Sequence, residues 1–262
     1  TGGVFMRMHR WALVASAMAL CTLAPICSAQ QLIVGSGASF SLGSSVVDAG
    51  CHDLQIAGTL NLGTGTLANV RDAGAGGTLL GGAGTLSLSG DLALGASLQA
   101  QSGSVRVVDG CGRSQTRVSG NHQFHRFAAE TDSGHALVLP AGGTQLIADA
   151  LELVGGVQRL ILRSSSPGAV GFLALASAGT QLIQRVDAQD VGAPDSAQYL
   201  APNLPSFYDS LDQGNTPRLF LGPGDDLVKP VPALSPVGLL LLLLSMAAIA
   251  AVQFRNAAQG NL

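Results

Sequence analysis

Acidic side chains that stand near one another with a basic or imidazole group close by are the first places where this chain could do chemistry. Asp187 and Asp190, with Arg163 upstream, are the residue types of a carboxylate pair acting on a polysaccharide. On a strand, however, Asp187 and Gln189 face one way and Asp190 the other, so the two carboxylates converge only if a turn intervenes. Asx turns or stacked aspartates at a corner are the simpler expectation. Glu130, Asp132 and His135 form a second group, but Thr131, Ser133 and Gly134 between them read as an exposed turn. His122 and His125 make a His-x-x-His pair around Phe124. Residues three apart on a strand point to opposite faces, so joint metal ligation there needs a bend or a bulge. With no HExxH, no cysteine companion and no acidic ligand at fixed spacing, no metal site is assigned.

Other chemistries lack their parts. There is no Gly-x-Ser-x-Gly elbow, and Gly35-Ser36-Gly37 and Gly43-Ser44-Ser45 read as turns. The 35 glycines include no GxxxxGK[ST] phosphate loop, and the one lysine is Lys229. The glycine run from Gly74 to Gly84 lacks the aspartates of calcium-binding repeats. No catalytic residue and no cofactor is therefore assigned, and a non-enzymatic protein is expected. The 13 basic residues form no dense cluster, which argues against nucleic acid as a partner.

Any site must sit on strands. Between Gln30 and Val191, apolar residues alternate with small polar ones in short runs such as Leu60/Leu62, Leu86/Leu88, Val105/Val107, Leu151/Leu153 and Leu173/Leu175. With 11% charged residues, 4% aromatic and 47% hydrophobic, the chain suits neither disorder nor an ordinary α/β enzyme. Repeats run through it. Gly-Thr-Leu recurs at Gly58, Gly65, Gly77 and Gly84, and Gly-Thr-Gln-Leu-Ile begins at Gly143 and again at Gly179. The second spacing, 36 residues (179 − 143), fits two coils of about 18, with small inward residues in a narrow core. An all-β parallel β-helix, or solenoid, is expected, with a β-sandwich as the alternative.

The chain divides into 1–29, 30–191, 192–230 and 231–262. Arg7 and Arg10 followed by the apolar run from Trp11 to Ile26, with Cys27, Ser28 and Ala29 after it, read as a signal peptide for signal peptidase, cut after Ala29. Residues 30–191 are the β-helix ectodomain, and 192–230 a capping coil with a Pro/Gly-rich linker. Tyr199, Phe207, Tyr208 and Phe220 are expected to cover the last coil. Cys51 and Cys111 remain after cleavage, as a disulfide in an oxidising compartment or as two free thiols. From Val231 to Val252 there is no charge, and the helix after Pro236 is a single transmembrane candidate. Arg255 beyond it keeps the C-terminus cytoplasmic and the body outside.

The tail also resembles a family signal. Val231, Pro232, Leu234, Ser235 and Gly238 match or closely replace positions of the IPTL-CTERM type of PEP-CTERM-like sorting domains, while Ala233, Pro236 and Val237 depart from it. The resemblance implies recognition by an exosortase-like membrane protease and an envelope location, anchored in the membrane or released to the surface. Residues 47–220 resemble the parallel β-helix ectodomains of bacterial surface proteins with such tails, through stretches such as 53–62, 107–112, 160–166 and 186–190. An exported Gram-negative surface protein is implied, with an adhesive or matrix role and extracellular polysaccharide as partner. A β-helix enzyme acting on that polysaccharide is the alternative.

Overall fold

A computed structural model describes residues 31–221. The expected signal peptide, transmembrane helix, sorting motif and Arg255 lie outside them. Among the described residues no helix is long and apolar enough to cross a membrane.

Strands stack in parallel to form a β-solenoid of about eight turns. Each of the early coils contributes one strand to each of three faces. In coil 1 these are Gln31–Val34, Ser39–Ser41 and Val46–Asp48. In coil 2 they are Asp53–Ile56, Thr59–Asn61 and Thr66–Val70. Every ladder between the described strands is parallel, which rules out the β-sandwich, whose sheets are antiparallel.

Alternation decides what is inside. On the third face Val70, Leu88, Val107, Ala129, Leu153 and Ile183 stand in register in successive coils and form one buried row. On the second face Leu60, Leu79 and Leu98 form another. The interior is therefore mostly leucine, isoleucine and valine. The expected small inward residues are found instead at the corners, where coils touch through backbone. A Cβ on Gly77 would lie 2.1 Å from the Gly58 carbonyl oxygen, and one on Gly84 would lie 2.5 Å from that of Gly65. The Gly-Thr-Leu motif is thus a pair of corners per coil, stacked on its copy in the next coil.

Coil length departs from 18. Leu54 pairs with Ala73 and Ala73 with Leu92, a rise of 19 residues each time (73 − 54 and 92 − 73). Later coils are longer: Thr144 pairs with Phe172, 28 residues on (172 − 144), and Ala150 with Thr180, 30 on (180 − 150). The two Gly-Thr-Gln-Leu-Ile copies therefore lie one coil and one face apart, since Thr144 aligns with Phe172 and Thr180 with Ala150.

The C-terminal end is covered. Leu211–Asp212 pairs with Val186–Gln189, and a short 3-10 helix, Pro205–Tyr208, leads into it. Phe220 is buried, Tyr208 packs against the core, and the Tyr199 hydroxyl donates to the Phe220 carbonyl oxygen at 3.0 Å. Phe207 instead faces solvent, with its ring edge-on to Tyr208.

Candidate functional site

The corner that joins the third face of one coil to the first face of the next is polar. An Asp72 carboxylate oxygen accepts the Asp91 amide at 2.7 Å, and an Asp91 oxygen accepts the Arg117 amide at 3.1 Å. Arg71 clamps Asp53 through two bonds of 2.7 Å, and this guanidinium holds the Asp53 carboxyl below the usual carboxylate range. Asp109 accepts four donors, the Thr131 and Ser133 hydroxyls at 2.6 and 2.8 Å and the Asp132 and Ser133 amides at 2.7 and 2.9 Å. Burial raises its pKa, but the bonds from Thr131, Asp132 and Ser133 together outweigh burial and hold it below the usual value. Each of these carboxylates satisfies amides of the following coil that the sheet ladder leaves open at the corner.

The same corner carries a strap. Cys51 and Cys111, 60 residues apart, are joined in a disulfide with Cα atoms 5.1 Å apart. Parallel coils are spaced by about 4.8 Å. The loop after Val108 therefore folds back along the corner, over the turns at Ser89–Asp91 and Arg71–Asp72, to reach the turn after coil 1. Arg113 forms an ion pair with Asp72 on the way. Both cysteines have positive φ, 62° and 49°, and the flanking Gly50 and Gly112 share that left-handed conformation.

The second face is interrupted. Leu98–Gln99 of coil 4 is the last strand of its sheet, and the next coil's Gln123–Thr131 pairs with the third-face strands and with coil 6. His122 fills the break. Its Nε2 accepts the Gly95 amide at 2.8 Å, so the neutral ring carries its proton on Nδ1 and donates to Gln145 Oε1 at 2.9 Å. That oxygen also accepts the His122 amide, and Gln145 Nε2 donates to the Gly120 carbonyl. The ring stacks on Phe124, which packs on Phe127. Burial holds the His122 pKa below 6.5, outweighing the Gln145 bond.

Outside His122 the break opens as a cleft of about 750 Å3. Gln99, Gln101, Asn121, Gln123 and Thr144 supply its polar lining with His125, Leu146 adds an apolar side chain, and none of the lining residues is Asp, Glu, Lys or Arg. Such a surface offers amide donors and acceptors without net charge, which suits neutral hydroxylated ligands. A smaller hollow of about 480 Å3 lies on the third face, among Asp109, Glu130, Asp132 and Glu152.

The strand Gln123–Thr131 is irregular at His125, with a register shift between Phe124 and Arg126. It leaves His122 buried on Gln145 and His125 beside Asp149 at 3.6 Å. His135 is buried rather than in a solvated loop, with Nε2 2.9 Å from the Thr116 hydroxyl, and burial lowers its pKa. Glu130 pairs with Arg106 at 2.8 Å. Arg163 binds the Asp187 carboxylate at 2.9 Å. Asp190 sits at a left-handed corner, φ 57°, where the Asn215 amide and the Gly168 N–H bind its carboxylate and hold its pKa low. Among the described residues no three His, Cys, Asp or Glu side chains come together in a metal-holding group.

Sequence reasoning passed over Asp53, Asp72 and Asp91, whose interval of about 19 residues was the signal for the corner, and the Gln/Asn lining, which carried none. No family model matches the chain, and no curated protein or solved structure is significantly similar to it.

Proposed function

We propose that this chain is an exported cell-envelope protein of non-enzymatic role, displayed through its C-terminal tail, whose solenoid engages the polysaccharide matrix outside the cell. The disulfide strap carries the reading. A bond between Cys51 and Cys111 persists in an oxidising compartment and is rare in the cytosol, and it lies between the two apolar ends that read as export and sorting signals. The bonds that occupy Arg163, Asp187 and Asp190 support a corner role over a catalytic one. The charge-free cleft on the second face is the surface best suited to a neutral glycan.

The test is the intact mass of the mature protein from a Gram-negative host with an exosortase-like protease and from a host lacking it. Loss of residues 1–29 in both hosts, and of the chain beyond about Val231 only where the protease is present, is expected. A tail retained in both hosts makes it a fixed anchor and refutes sorting. Free thiols at Cys51 and Cys111 in freshly isolated protein refute export.

A further inference from the structure

The two ends of the solenoid differ. Past Gly192 the chain folds over the core with Pro194, Pro202, Pro205 and Pro217 in the covering segment. Coil 1 has no such cover among the described residues. The three sheets begin at Gln31–Val34, Ser39–Ser41 and Val46–Asp48, so three strand edges stand side by side with no ladder partner among the described residues. Phe40 continues the inward row of Leu60 and Leu79, yet it is 47% exposed where those two are 0% exposed. Ile33 and Val46 on the outer rim are 62% and 74% exposed.

Proteins usually blunt such edges with lysine, proline, inward charges or bulges. Residues 31–48 contain no proline and no basic residue, and their one charge, Asp48, lies at the far end. The export reading, on which this inference rests, leaves Gln30 alone ahead of the first strand, too little chain to cover the end.

We propose that this end pairs with the same end of a second copy, forming a two-fold dimer joined coil to coil. The geometry is self-complementary. A two-fold axis across the solenoid, through the middle of the first face, sets Gln31–Val34 antiparallel to its own copy and exchanges the second and third faces. Ser39–Ser41 then meets Val46–Asp48 of the second copy, and both strands are three residues long. All three edges gain ladder partners at once, and the two Phe40 side chains close one continuous core. The Val34 carbonyl bonds to coil 2 through the Ala57 amide. By the alternation of a parallel ladder, the Ile33 N–H and C=O point to the open side and belong to the new pairing.

Two variants separate pairing from folding. Ile33→Pro removes an edge donor without touching the ladder to coil 2, and Val46→Lys places like charges near the joint. Sedimentation equilibrium of the mature, full-tailed protein in detergent, with its N-terminus sequenced, is expected to show a dimer starting at Gln30. Each variant weakens association about tenfold or more with an unchanged far-UV spectrum. A monomer starting at Gln30, or a dimer indifferent to both variants, overturns the pairing alone. A chain that keeps the residues before Gln30 overturns the export premise and the pairing with it.

Discussion

Removing the Cys51–Cys111 bond should loosen one stretch of the solenoid and leave the rest. The bond closes a loop of 60 residues. In the chain-entropy description, such a closure stabilises the fold by about 4 kcal/mol. The Arg113–Asp72 ion pair on the same strap is part-exposed and adds at most about 1 kcal/mol. A solenoid is held by contacts between neighbouring coils, so the loss falls on the coils inside the loop rather than on the whole molecule. About 4 kcal/mol corresponds to roughly a thousandfold in an opening equilibrium. Hydrogen exchange followed by mass spectrometry on Cys51→Ala/Cys111→Ala protein, and on reduced wild-type protein, reads this by segment. Amides in residues 53–88 should lose protection by up to about a thousandfold, while those in 136–184 change by less than about threefold. Among the described residues coil 1 pairs with coil 2 alone, so its amides should follow those of residues 53–88 and lose protection with them. An equal loss in both halves, or none in residues 53–88, would refute the local account.

Adjacent glycines should respond differently: a Cβ at Gly77 would meet the Gly58 carbonyl, whereas at Gly76 it would meet open space. Gly77→Ala is expected to destabilise by about 1–3 kcal/mol and Gly76→Ala to be near neutral, and equal thermal midpoints would contradict the stacked-corner packing. Burial lowers the pKa of His122 and of His135 in the folded state, so below about pH 6.5 the unfolded chain binds protons that the fold refuses. Stability is then full above that pH and declines as pH falls, by at most about 1.4 kcal/mol per pH unit for each histidine. Urea midpoints between pH 7 and pH 5 measure the decline; His122→Asn should make it shallower, and a slope unchanged by that substitution would rule out His122 as a source.

The strands were legible because alternation of leucine with serine, threonine or glycine is what a half-buried strand requires, and most of the alternating leucines are buried. The parallel stacking was legible in Gly58/Gly77 and Gly65/Gly84, whose 19-residue offset (77 − 58 and 84 − 65) equals one early coil. The longer Gly-Thr-Gln-Leu-Ile repeat misled, because identical corners serve different faces: any corner followed by an inward residue has the same local needs. His122 was visible as a candidate, but its task was not, since an imidazole replaces a ladder acceptor only when Gly95 and Gln145 arrive from other coils. The cleft followed from that break. The strap was equally hidden, because cysteine spacing reports loop length and not the direction in which a loop turns.

A pull on the two ends of this chain would not reach all of it. Tension entering at Gln31 passes along coil 1 to Cys51, crosses the sulfur bridge and resumes at Cys111, leaving coils 2 to 4 off the load path. Sixty residues at about 3.3–3.6 Å each come to roughly 200 Å of chain that cannot be drawn out while the bond is intact. In a force–extension trace the oxidised protein should fall short of the reduced one by about that length. The solenoid thus yields in coil 1 and in the coils after Cys111, on either side of an inextensible segment.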